Sequence, residues 1–435
     1  MPVGTVRSSA DDHFKRWSTS ALVTLIIVIV GLGALWLTWL GQEVTGPLTQ
    51  SGHHDFFAFY SAASLIRDHQ PQLLYDSQAL TGLERQIFPH PTGYAGYMPF
   101  LNPPAAAAIL SPLGLLPEQS ARLVWLAINI VVAIACALLL TSGCDVRIRV
   151  LTIVALLASF PAFQALVEGQ WSFVLLLAAL GALAAGRRDS PWLAGALLSV
   201  FWLKPPLLLF VLVWLLVTRH WRIAAIAVLA VIAITLVALP WTGIASNLNY
   251  VGYLGGVSLA HVSGAGAAGT TTWEGALPNM EGLIGVPATI IGQQNAVAVD
   301  LITAAMAAAL VALFVVTTRS HLRERPLHAR YAIAAVALGL LLDPHLYAQD
   351  CVLIAMVIAL QLPAAHSVRT QAAVVIGVVA VMELSALDTL SVEYGFLRPP
   401  HLLTLALIAS IIALVRPVKN RLAAHPLGHT ASPVN

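Results

Sequence analysis

Residues 53–55 read His53-His54-Asp55 and run directly into Phe56, Phe57, Phe59 and Tyr60. A carboxylate beside an aromatic run is a candidate general base, because partial loss of water raises a carboxyl pKa and makes the group a stronger base. A plainer reading stands beside it: Asp55 caps the helix that begins at Phe56, a role aspartate fills well. His53, His54 and Asp55 also suggest a metal, but adjacent residues rarely hold one ion together and no histidine spacing elsewhere completes a set. No metal and no cofactor are expected.

Further polar residues recur at intervals between apolar runs. Glu168-Gly169-Gln170 forms one tight turn, Asp343-Pro344-His345 forms another, with Tyr347 and Asp350 just beyond, and Asn279 and Glu281 lie in a third connection. Arg122 and Lys204 are cations at helix ends, suited to a phosphate, and an arginine offers it two parallel hydrogen bonds. The plain alternatives are an interfacial anchor for Arg122, a snorkelling side chain for Lys204, and turn formation for Glu168 and Gln170. No Ser-His-Asp arrangement, phosphate loop or dinucleotide fold stands out, and nothing marks a nucleic-acid surface.

These residues need elements to hold them, and composition says what those are. The 435 residues are 58% hydrophobic and 10% charged, with a mean hydropathy of +0.83. An ordinary soluble domain carries about 25% charged residues. Continuous apolar runs near the length of a bilayer exclude a β-barrel and imply an all-α polytopic membrane protein. About twelve spans are expected, near 20–40, 119–141, 150–165, 170–186, 192–203, 206–218, 223–241, 296–318, 330–343, 348–363, 371–387 and 400–415. The run at 20–40 is too long for a signal peptide, and Trp36 and Trp39 mark an interfacial end. The Lys204-Pro205-Pro206 break splits 192–218 into two short helices. Residues 103–117 are short and proline-bounded, and read as an interfacial or re-entrant element. Cys136, Cys144 and Cys351 form no spaced set.

Charge orients the bundle. Of the 22 lysines and arginines, all but Arg67, Arg85, Arg122, Lys204 and Arg398 fall on one side of the alternating spans. The positive-inside rule makes that side cytoplasmic. Both tails, 1–19 and 416–435, are then cytoplasmic, around a membrane domain over 20–415. Two long connections, 42–118 and 242–295, face outward together with Asp55. The aromatics after Asp55 are expected to hold that stretch against lipid headgroups. The GAGAAG run at 264–269 lacks a preceding strand and reads as a flexible loop.

Four stretches resemble glycosyltransferase family 87: DFFAFYSAASLI (55–66), YMPFLNPPAAAAILSPLGLLP (97–117), EGQWSFVLLLAAL with LAGALLSVFWLKPPLLLF (168–180 and 193–210), and DPHLYAQDCVLI (343–354). NMEGLIG (279–285) is a weaker fifth. The resemblance implies a GT-C fold with juxtamembrane helices in the first outer loop, and a mannosyltransferase that uses a polyprenyl-phosphate sugar. It implies Asp55 as the catalytic base and a place for His345 in the active-site region. Lys204, Arg122 and His345 are the candidate donor-phosphate ligands. His54, Tyr60, Glu168, Gln170, Asn279 and Tyr347 are the candidate substrate-binding set. The expected acceptor is a glycan, glycolipid or protein hydroxyl outside a bacterial inner membrane. Transfer of arabinofuranose or another sugar, and a polytopic lipid or sugar transporter, stand as alternatives.

Overall fold

Apolar runs without proline fold as uninterrupted helices, and proline or glycine sets many of the breaks. The computed structural model describes residues 19–45, 55–87, 98–263, 282–292, 295–319, 329–343, 346–394 and 401–415. Helix α1 (Thr19–Thr45) is followed by three short helices of the first connection, α2 (Phe56–Arg67), α3 (Ser77–Ile87) and α4 (Pro104–Leu110). Then come α5 (Glu118–Leu140), α6 (Val146–Leu157), α7 (Phe160–Val167), α8 (Ser172–Arg187), α9 (Pro191–Leu198), α10 (Pro205–Val217) and α11 (Trp221–Ser263). The remainder is α12 (Gly285–Ile291), α13 (Ala296–Arg319), α14 (Ala329–Leu342), a 3-10 stretch (Ala348–Ala355) leading into α15 (Met356–Gln361), α16 (Val368–Met382), α17 (Leu384–Tyr394) and α18 (Leu402–Val415). No strand occurs among the described residues.

Among the described residues five helices are long and apolar enough to cross a membrane: Ile26–Glu43, Glu118–Leu140, Trp221–Leu254, Val297–Thr318 and Val368–Thr389. The chain is a multi-pass membrane protein. The bent pair α6–α7, with 59° between its helices, makes a sixth crossing if it is one span. Helix length therefore does not reach the expected twelve. The other predicted spans fold as helices of 10–17 residues, below the ~20 that cross a hydrocarbon core alone.

The α6–α7 bend has a local cause. Ser159 caps α7 by accepting from the Ala162 amide, and Pro161 lies in the first turn, where its missing N–H costs nothing. The Phe160 amide donates to Glu383 Oε1 at 2.8 Å, and Trp36 Nε1 donates to Glu383 Oε2 at 3.1 Å. Trp36 is buried against Phe160 and Phe163, so it packs inside the protein rather than marking a lipid interface. One buried carboxylate thus ties α1, α7 and the end of α16 together.

The described part of the first long connection is a packed layer. Residues Phe56 to Ile66 of α2 are all buried, covered by α3, α4 and the 3-10 stretch Ser111–Leu115. The expected headgroup contact of the aromatics is thereby overturned: Phe59 packs on Phe100 and Trp171. Gly114 permits this closeness, since a Cβ there would lie 3.0 Å from the Ala63 backbone. The 103–117 element is helical and short, as its prolines predict.

Helix α11 runs past the expected end near 241. It bends at Gly243, where φ is 68° and ψ is 162°. At about 1.5 Å per residue its 43 residues outreach a hydrocarbon core of about 30 Å. Its far half packs on α4 and on the 3-10 turn Pro71–Leu73. There the Tyr250 and Tyr253 rings pack tilted against Tyr75.

Candidate active site

The turn 168–170 is held by its own chemistry. Gly169 sits at φ +70°, a conformation that glycine adopts without the steric cost other residues bear. Its carbonyl accepts from Trp125 Nε1 at 2.6 Å. A Cβ on Gly169 would lie 3.2 Å from the Trp125 ring and 3.3 Å from Phe56. The turn therefore closes directly onto the start of α2, where Asp55 stands.

Two contacts join them. The Asp55 amide donates to Glu168 Oε2 at 3.0 Å. Gln170 Nε2 donates to the Asp55 carboxylate, at Oδ2. Asp55 precedes α2 but its side chain makes no capping bond to the helix. That disposes of the capping alternative: the carboxylate faces the 168–170 turn instead. Burial, and next the charge of Glu168, push the Asp55 carboxyl up to about 7. The Gln170 hydrogen bond and the nearby Lys204 charge pull the other way and do not cancel the rise. A carboxyl so placed takes and releases a proton near neutral pH.

Lys204 stands at the break between the 3-10 stretch Ser199–Leu203 and α10. Pro205 and Pro206 follow it and have no N–H to offer. The Leu203 carbonyl instead accepts from Asn102 Nδ2 at 2.9 Å. From this fixed break Lys204 Nζ reaches Asp350 Oδ1 in an ion pair. Ser172 Oγ donates to the same oxygen at 3.4 Å, and the charges of Asp343 and Asp55 also act on the ammonium.

Arg122 is 4% exposed on α5, one turn before Trp125. Among the described residues neither Nη1 nor Nη2 has a hydrogen-bond partner, although the charges of Glu43 and Glu168 act on it. Asp343 and Asp350 join this layer through Lys204; in the sequence they stand beside the polar turn with nothing local to mark a role. The Tyr60 hydroxyl donates to the Leu116 carbonyl at 2.7 Å, and Tyr347 packs beside Ile284, Ala288 and Val299 while its carbonyl accepts from the Asp350 amide at 3.0 Å. His53, His54, Asn279 and His345 lie outside the described residues.

A model of glycosyltransferase family 87 matches residues 100–344, just over half of the chain. The chain belongs to glycosyltransferase family 87. It is therefore a glycosyltransferase, and a transporter reading falls away. The family match takes in Arg122, Glu168, Gln170, Lys204 and Asp343, and it leaves Asp55 and Asp350 outside. No match was found among curated proteins or among solved structures.

Proposed function

We propose that this family member moves a sugar, mannose by the sequence resemblance, from a polyprenyl phosphate to an acceptor hydroxyl outside a bacterial inner membrane. The observation that carries the reading is the Asp55 carboxylate gripped by Gln170 and raised to about 7 beside Glu168. Asp55 removes the acceptor's proton, and the acceptor oxygen bonds to the anomeric carbon from the face opposite the phosphate. The bond from that carbon to the phosphate oxygen breaks, and the electron pair leaves with the lipid phosphate. The anomeric configuration inverts.

The other roles follow from charge and hydrogen bonding. Arg122, with both terminal nitrogens unpartnered, and Lys204 stabilise the departing phosphate, with His345 as a third ligand. Gln170 Oε1 has no partner and is an acceptor for a sugar hydroxyl. Glu168, His54, Asn279, Tyr60 and Tyr347 complete the substrate-binding proposal. A GT-C arrangement with both tails cytoplasmic sets this layer on the outer leaflet, and the short helices then pair to give the further crossings. Asp55 fixes no sugar identity, so arabinofuranose or another pentose or hexose is the second reading.

The experiment is transfer by purified protein in liposomes, with labelled sugars on polyprenyl phosphate and on nucleotides, and membrane glycan extract as acceptor. Transfer from the mannosyl polyprenyl phosphate supports the reading. Transfer from nucleotide sugars alone contradicts it.

A further inference from the structure

Asp350 is almost fully buried, 1% exposed, in the 3-10 stretch Ala348–Ala355. Its amide donates to the Tyr347 carbonyl at 3.0 Å. One carboxylate oxygen takes Lys204 Nζ and Ser172 Oγ. The other, Oδ2, has no partner. A buried carboxylate persists only where a counter-ion offsets the loss of water, and Lys204 is that counter-ion. The lysine is fixed from the other end too, by the proline break behind it and the Asn102 bond to Leu203.

The groups whose charges bear on Asp55 are Glu168 from the end of α7, Lys204 from the break before α10, and Asp350 from the 3-10 stretch. Gln170 supplies the side-chain hydrogen bond. Lys204 acts on Asp55 by charge, while its ion pair is with Asp350. Asp350 therefore affects the base in two ways. Its own negative charge disfavours the Asp55 anion, and it keeps the ammonium from pairing with that anion. A carboxylate paired with a lysine is a weaker base than one left beside it.

We propose that Asp350 is a positioning residue for sugar transfer: its ion pair holds the Lys204 ammonium beside, not on, the Asp55 carboxylate, leaving that carboxylate for the acceptor's proton. The inference rests on the proposed function, with Asp55 as base.

The test is the pH dependence of mannose transfer from labelled mannosyl polyprenyl phosphate in liposomes. Asp350→Asn frees Lys204 to swing onto Asp55. Its kcat should fall by about 10²-fold, the scale of a small misplacement. Its acid limb should move down by about one pH unit. Because that variant strips a buried lysine of its native partner, the apolar pair Lys204→Met/Asp350→Leu is measured as well, a replacement that buried ion pairs often tolerate. Lys204 acts on Asp55 more strongly than Asp350 does, so removing both should move the acid limb upward. Opposite shifts in the two variants support the proposal, with Asp350→Ser measured in place of Asp350→Asn should the latter not fold. An acid limb that stays in place in either folded variant overturns it, whatever happens to kcat, because a merely structural role lowers rate without moving the limb. Asp55→Asn in the same assay separates the two ideas: wild-type turnover there removes the base itself, whereas an inactive Asp55→Asn with unmoved limbs removes only the role of Asp350.

Discussion

Glu168 receives the backbone amide of Asp55 at 3.0 Å, so the residue that raises the candidate base by its charge also fixes the base's place in the chain. Replacing Glu168 separates the two effects. Glu168→Gln keeps an acceptor for the amide and removes the charge. The acid limb of the pH–rate profile should move to lower pH, with the thermal transition in detergent nearly unchanged. Glu168→Ala should in addition cost about 1–3 kcal/mol, through the amide left without its partner. An unmoved acid limb in Glu168→Gln counts against Asp55 as the titrating base.

Gly169→Ala tests the turn. The new Cβ meets Trp125 and Phe56 at 3.2–3.3 Å, and the φ of +70° becomes strained for a non-glycine residue. A loss of about 1–3 kcal/mol is expected, read as a lower transition temperature. Gln170 should also lose its hold on Asp55, so kcat should fall more than donor KM rises.

Glu84 gives a stability prediction outside the site. It is buried on α3, its Oε2 accepts from the Met98 amide at 3.1 Å, and its Oε1 has no partner. Burial pushes its carboxyl from 4.5 to about 8. The folded protein then holds a proton that the unfolded chain has released, so stability falls as pH rises from about 4.5 toward 8. Melting of the wild type at stepped pH should show that decline, worth up to a few kcal/mol. Glu84→Gln should reduce the decline to the part that the raised Asp55 carboxyl contributes, and an equal slope in both proteins contradicts the assignment.

The sequence made some of this legible. The Glu168-Gly169-Gln170 turn, the Lys204-Pro205-Pro206 break and the short 103–117 element are marked by glycine and proline, whose backbone limits are local. Partners far along the chain were not legible. Lys204 and Asp350 are 146 residues apart, and Trp36 and Glu383 are 347 apart. No local pattern links such pairs. Aromatics were ambiguous for a different reason: Phe56, Phe57 and Trp36 suit a headgroup layer and a protein core equally, and only the covering helices decide. Helix α11 was cut short near 241 because Asn247, Asn249 and Tyr250 lower the apolarity while leaving helix formation intact. His54, Asn279 and His345, proposed as ligands, fall outside the described residues.

Trp36→Phe should remove the indole donor from Glu383 while leaving an aromatic ring against Phe160 and Phe163. A loss of about 1–3 kcal/mol is expected from the carboxylate oxygen left without its donor. Activity per folded molecule should be retained, because the contact lies at the start of α7, the opposite end of that helix from the 168–170 turn.

The most direct measurement is sugar transfer by Asp55→Asn in liposomes, beside the wild type and across pH. Asparagine keeps the shape of the side chain and cannot take the proton. The account predicts a folded protein whose turnover falls by about 10²–10⁴-fold, and a wild-type profile whose acid limb lies near pH 7 and vanishes in the variant. Wild-type turnover by folded Asp55→Asn, with the acid limb still in place, would contradict it.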